Sequence, residues 1–216
     1  MIRAFSQADV VYLILATRWT ILLALAAMLG GGLLGLVVAV ARVLPIKPLN
    51  WLAIGYINLI QGMPLLGQLF VFFFGLPIVG LSVDAWTAAL AALSIYASAF
   101  FGEIWRGSLQ SVSRRQWEAG ASLGLTYSQR LTHVIIPQAI RISIAPTVGF
   151  LVQLVKNTSL AALIGFIELT RAAQIITSAT FAPLPVYLTA AAIYFVICFS
   201  LSQLSQRLER KIRAAH

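Results

Sequence analysis

The sequence predicts an all-α fold: a polytopic membrane protein with five transmembrane helices and one short amphipathic helix between the third and fourth. Of its 216 residues, 60% are hydrophobic and only 10% are charged, against about a quarter charged in soluble domains. Its uncharged runs have the length a bilayer demands, about 20 helical residues. The net charge of +9 collects beside those runs, as it does on the cytoplasmic flanks of membrane helices. It does not form the exposed basic stripe that would suit nucleic acid.

The elements follow from charges and prolines in order. Residues 1–16 form an N-terminal periplasmic segment, residues 17–205 the transmembrane domain, and residues 206–216 a basic cytoplasmic tail. Between Arg18 and Arg42 lie 23 uncharged residues, giving a first span over 19–41. That run is too long for a cleaved signal peptide, and Gly30, Gly31, Gly32 and Gly35 within it suit close helix packing. Between Lys47 and Asp84 lie 36 uncharged residues, more than one straight helix needs, and Pro64 and Pro77 divide them. A second span over 51–74 is expected, kinked or unwound at Gly62-Met63-Pro64 and followed by an external loop.

The third span, 85–105, opens at Trp86 and closes at Trp105. Only 14 uncharged residues separate Arg141 from Lys156. The fourth span, 133–157, must therefore borrow His133 to Ile140, with Arg141 buried against protein or snorkelling. Residues 158–182 carry Glu168, Arg171 and many small side chains, and read as a short helix partly dipping into the outer leaflet. Pro183 and Pro185 precede a fifth span over 185–206.

Alternation of spans places Arg42, Lys47, Arg106, Arg114, Arg115, Arg130, Arg207, Arg210, Lys211 and Arg213 on one side. Asp84, Glu168, Arg171, Arg3 and Asp9 fall on the other. Basic residues favour the cytoplasm, so the N-terminus is expected in the periplasm and the C-terminus in the cytoplasm. The single cysteine, Cys198, excludes an internal disulfide and lies in an apolar run as packing.

Residues 113–137 form a polar island in this oily chain. Ser113 with Gln116 reads as a capping box, Gly124 as a left-handed helix terminator, and Thr126 with Gln129 as a second capping box. These predict a short helix over 114–124, a sharp corner, and a longer helix running into Pro137. Trp117, Gly120, Ala121 and Gly124 share one side of the short helix. A face so small suits the close approach of another protein's groove; the plainer alternative is a helix resting on the membrane surface.

The spacing Glu118-Ala119-Gly120, then Gly124, then Pro137 resembles the EAA loop of ABC importer permeases. Five further stretches resemble the branch that carries polar amino acids and opines: YINLIQGMPLLGQLF (56–70), GEIWRGSLQSV (102–112), IIPQAIRISIAP (135–146), VKNTSLAALIG (155–165) and ELTRAAQ (168–174). Together with QWEAGASLGL (116–125) they cover the chain from about Thr17 to Ser205. The resemblance implies a type I importer permease of the inner membrane. Its expected partners are a dimer of ABC ATPases, a second permease in a homodimer or heterodimer, a periplasmic substrate-binding protein and a polar amino acid. It implies a cycle of alternating access in which the ATPases move the 114–124 helix through Trp117, Glu118, Ala119, Gly120, Gly124 and Pro137. Glu118 is expected to bond a polar or basic group of the ATPase, or else to pair with Arg114 four residues away. Gly120 stands where the family has a second alanine.

No G-x-x-x-x-G-K-[ST] loop occurs, so the chain does not cradle ATP by that route; the resemblance implies that ATP and its magnesium sit on the partner ATPase and that this chain binds no cofactor. His133, His216, Cys198 and scattered acids offer no metal cluster, and no nucleophile–base motif marks a catalytic residue. The chain is therefore expected not to be an enzyme. Polar groups within spans are costly and mark candidate pathway residues: Asn58, Gln61, Met63, Pro64 and Gln68 around the proline break, and Asn157, Thr158 and Ser159 atop the fourth span. Helix–helix hydrogen bonding is the alternative role for each. Glu103 with Arg106 reads as a structural or gating pair. Asn58 and Gln61 stand where the branch commonly has Glu and Arg, which implies a neutral half-site, with charges supplied by a different second permease. An ion-coupled secondary transporter and a non-transporting structural membrane protein are the remaining classes; the first lacks mid-span ionisable groups and inverted repeats.

Overall fold

The computed structural model describes residues 3–214, with side chains described as far as Ile212. Met1, the side chain of Arg213 and His216 lie outside the described residues, as do the outermost positions of the expected N-terminal segment and tail. Ten α-helices occur in chain order among the described residues: α1 (Gln7–Val43), α2 (Lys47–Gly62), α3 (Leu65–Phe70), α4 (Leu76–Ile78), α5 (Ala85–Ser111), α6 (Arg114–Ser122), α7 (Tyr127–Gln129), α8 (Ile136–Asn157), α9 (Leu169–Thr180) and α10 (Pro183–Ala214). Wide π turns join α3 to α4 (Val71–Gly75) and α7 to α8 (Arg130–Ile135), and a 3-10 turn (Thr158–Ile164) follows α8.

Four rods are long and apolar enough to cross a membrane: Gln7–Val43, Ala85–Ser111, Tyr127–Ile164 and Pro183–Ile212. The fifth expected span differs. Lys47–Gly62 and Leu65–Ile78 meet at 97°, so residues 51–74 are two arms rather than one kinked helix. Pro64 has no N–H to give the preceding turn and takes an extended ψ of 134° as the cap of α3, which ends α2 outright.

The other boundaries also move outward. The first helix begins at Gln7, not near Trp19, because Asp9 accepts from the Ser6 amide at 2.9 Å and the Ser6 hydroxyl at 3.0 Å, closing a capping box. The boundary drawn at residue 16 thus falls inside a helix of 37 residues, about 55 Å long against a hydrocarbon core of about 30 Å. The helix that was expected to run into Pro137 continues through it. Both π turns end two residues before a proline, Pro77 and Pro137. A proline ring crowds the carbonyl four residues back, and a widened turn relieves that contact.

α1 and α5 run parallel and pack along their whole shared length. A Cβ on Gly31 would stand 2.5 Å from Ala97 Cβ and 2.8 Å from the Ser94 carbonyl oxygen; on Gly35, 2.7 Å from Phe101 Cβ; on Gly102, 2.5 Å from a Val38 methyl. The glycines therefore set the helix separation, while Leu29, Leu33 and Val37 on the opposite side of α1 stay exposed. Gly31→Leu is expected to reduce the yield of monodisperse protein in detergent severalfold, since overpacking costs about 1–3 kcal/mol. Gly55→Leu, with nothing within 4 Å of the new Cβ, should leave that yield unchanged.

The main core joins Leu23, Leu65, Leu69, Leu93, Phe101, Phe150 and Leu154. At the α6 end Glu103 clasps three helices. Its carboxylate accepts from Arg42 of α1 at 3.1 Å and from Arg106 at 2.5 and 3.0 Å, and Arg42 also donates to Asn50 of α2.

Candidate functional site: the α6 corner and the proline break

Local sequence dictates the α6 corner. Gly124 adopts φ +74°, the Leu125 amide donates to the Gly120 carbonyl at 3.1 Å, and the Gly124 amide donates to Ala121 at 3.0 Å. This is the Schellman closure of a helix C-terminus. Two residues on, the Gln129 amide donates to the Thr126 hydroxyl at 3.3 Å, while the Gln129 side chain accepts from the Thr126 amide at 2.9 Å. The second capping box is complete. The first is not: the Ser113 hydroxyl accepts from the Arg115 amide at 3.3 Å and the Gln116 amide donates to the Ser113 carbonyl at 2.9 Å, but among the described hydrogen bonds the Gln116 side chain makes none to the Ser113 amide.

The orientation of α6 corrects the expectation for its small face. Gly120 is buried and Trp117 half-buried. Trp117 packs with Val112, Ile135 and Ala139 of its own chain and stacks on Tyr127, ring centroids 5.5 Å apart. A Cβ on Gly120 would lie 2.8 Å from Arg130 Cγ. Arg130 in turn donates to the Trp117 carbonyl at 3.4 Å. The Trp117–Gly120 side thus turns inward because the aromatic ring finds an apolar bed there, while Ala121 and Gly124 remain exposed. What α6 offers outward is Arg115, Glu118, Ala119 and Ser122, with Leu123 79% exposed at its end. Glu118 sits 3.3 Å from Arg114, an exposed pair of the kind worth little to stability and free to exchange partners. Pro137 is exposed at the start of α8.

The pathway candidates divide into two groups that the fold brings together. Leu65 and Leu69, just after the proline break, share one core cluster with Ala161 and Ile164 of the 3-10 turn. Asn58, Gln61, Met63 and Pro64 are exposed. Gln68 is buried at 3% and donates to the Ile60 carbonyl at 2.7 Å and the Met63 carbonyl at 3.2 Å. It satisfies backbone acceptors freed by Pro64, and its own Oε1 has no protein partner among the described residues. Thr158 is fully buried and donates to Val155 at 2.7 Å; Ser159 donates to Lys156 at 2.7 Å; Asn157 accepts from Gln153 at 3.1 Å. These bonds stay within α8 and the turn that follows it, while Asn58 and Gln61 are exposed and Asn157 half-buried.

Sequence reasoning counted Arg130 and Glu168 only as charges on the two sides and did not identify the seat of Gly120 on Arg130 or the cluster of Glu168 with Tyr194 and Thr20. Glu168 stands three residues before Arg171, but its carboxylate caps the Arg171 amide at 2.9 Å, and the guanidinium turns instead to Gln174. Among the described residues no group of His, Cys, Asp and Glu is placed to hold a metal ion.

Apolar rods long enough to cross a membrane, with a capped polar helix at one end locked by its underside to the next rod, make this a polytopic membrane protein with an exposed helix at one face. The chain belongs to the family described as binding-protein-dependent transport system inner membrane component, whose pattern matches residues 31–214. It is 41% identical over 197 residues to GlnM, a probable glutamine ABC transporter permease of Bacillus subtilis (strain 168), covering 91% of each chain. It is 40% identical to TcyB of the same organism, an L-cystine transport system permease, covering 90% of this chain and 83% of that one. Among solved structures, an amino acid ABC transporter crystallised with histidines matches with a TM-score of 0.89 and 38% identity, over 93% of this chain and 94% of that one. The inward-facing MetNI methionine transporter matches with a TM-score of 0.78 at 20% identity, over 96% and 99%, a likeness of fold. The chain is thus a type I ABC importer permease, a multi-pass inner-membrane transport subunit and not an enzyme. Its family implies an ATPase and a substrate-binding protein as partners.

Proposed function

We propose that this chain forms half of the membrane channel of an ATP-driven importer for a polar amino acid, and that α6 is the lever through which a dimer of cytoplasmic ATPases drives alternating access. In this arrangement α6 and both basic flanks face the cytoplasm, and the opposite end meets a substrate-loaded periplasmic binding protein. The observation that carries the proposal is the rigid corner at 113–130: α6 is capped at both ends, stacked through Trp117 on Tyr127, and seated on Arg130 at the base of the fourth rod. A push on its outward face has nowhere to dissipate before it reaches that rod. The amino-acid cargo is supported by the glutamine and cystine permeases among the relatives. A second permease, identical or different, completes the channel and ATP with magnesium binds the ATPases.

The substrate route runs past the proline break and the top of the fourth rod, with Gln61, Asn58 and Asn157 supplying neutral polar contacts. A screen of radiolabelled amino acids on vesicles holding the complete complex tests this. Uptake of one polar amino acid that requires ATP is expected; uptake that persists with an inactive ATPase would overturn it. Within that assay Gln61→Ala should raise KM about tenfold at unchanged assembly, the loss of one or two substrate hydrogen bonds. Gln68→Leu should instead lower the amount of assembled complex, because it leaves the Ile60 and Met63 carbonyls unbonded.

A further inference from the structure

Glu168 is fully buried and forms no ion pair among the described residues, the neighbouring Arg171 guanidinium turning to Gln174. Its Oε1 accepts from the Arg171 amide at 2.9 Å; its Oε2 accepts from the Tyr194 hydroxyl at 2.7 Å and the Thr20 hydroxyl at 3.4 Å. The Thr20 oxygen takes the Leu169 amide at 3.1 Å, and Thr170 lies 3.1 Å from the Tyr194 oxygen. Three donors, the Arg171 amide and the Tyr194 and Thr20 hydroxyls, therefore meet at one carboxylate, which ties α1, α9 and α10 together. Capping α9 alone would need only a short Ser, Thr or Asp; the longer acid reaches two other helices as well. Such a group is expensive to bury without a charge partner. Tyr194 also packs against the cluster of Val152 and Val155 at the end of α8, two residues before Asn157 on the proposed route.

We propose that Glu168 is a positioning residue for transport, holding Tyr194 and the start of α9 so that the Asn157–Ser159 corner keeps its substrate-binding shape. This role rests on the proposed transport of an amino acid past that corner. Glutamine changes this network: with its oxygen kept on the Arg171 amide, its NH2 faces the Tyr194 and Thr20 hydroxyls, which must turn round to accept where they had donated.

The test uses the complete complex in proteoliposomes, with Glu168→Gln and Tyr194→Phe alone and together, measuring KM and kcat for uptake and the amount of co-purified ATPase. Glu168→Gln should raise KM by about fivefold or more with ATPase recovery close to wild type, and Tyr194→Phe should shift KM in the same direction by a smaller factor. The double variant should be no worse than Glu168→Gln, since both break one network. Unchanged KM in both single variants overturns the role, as do losses that follow the amount of assembled complex at constant KM, or effects that multiply in the double variant. If Glu168→Gln fails to accumulate, the KM of Tyr194→Phe decides. Wild-type complex without ATP-dependent uptake would instead sink the transport reading, and this role with it.

Discussion

Gly124→Val is expected to abolish ATP-driven uptake while leaving the permease inserted in the membrane. Gly124 sits at φ +74° with open space around a would-be Cβ, so the penalty is conformational and not a clash. A β-branched residue held in the left-handed region costs of order 1–3 kcal/mol. The chain can avoid that cost only by opening the two closing bonds, from Leu125 to Gly120 and from Gly124 to Ala121. Opening them frees the end of α6 and swings Leu123 away from where a partner would meet it. A penalty of that size would deplete the docked geometry by roughly ten- to a hundredfold. Co-purification of the ATPase with the permease should fall accordingly, and uptake with it. Gly124→Asn is the control, because asparagine tolerates the left-handed region; it should retain most of both. Normal uptake by the valine variant would remove the α6 corner from the coupling route.

What could be read from the sequence at this site was what is local. The Gly124 terminator and the Thr126–Gln129 box are decided within four residues, and both stand as the residues dictate. The inward turn of α6 was not readable, because it depends on Arg130 passing beneath Gly120 and on Val112 and Ile135 forming a bed for Trp117. Nor was the Glu168 cluster: Thr20 and Tyr194 lie 148 and 26 residues away from it, and no periodicity links them. Pro64 announced an interruption, whereas the 97° bend goes with the burial of Leu65 and Leu69 in the main core, which the local sequence does not state. The π turns had a signal, the prolines two residues beyond each. The charge-free runs located the rods but underestimated their lengths, because Ser6–Asp9 capping and the helical passage through Pro137 extend them past the apolar core.

Trp117→Ala should separate ATP hydrolysis from transport. The indole packs in the joint between α6 and the base of the fourth rod, stacked on Tyr127 at an interplanar angle of 25°. Removing it leaves a void beside Val112, Ile135 and Ala139, and large-to-small changes of this kind cost about 3–5 kcal/mol where burial is complete, less at this half-buried position. The outward residues Arg115, Glu118, Ala119 and Ser122 are untouched, so the ATPase should still bind and turn over. The lever, however, would rock in its seat. Amino acid imported per ATP hydrolysed should fall by roughly tenfold, the consequence of losing about 1.4 kcal/mol of coupling. Trp117→Phe, which keeps a ring against Tyr127, should restore most of it. Loss of ATPase binding in Trp117→Ala, with efficiency per ATP unchanged in what remains, would show that the indole meets the partner after all. It would also return the small face of α6 to the outside of the molecule.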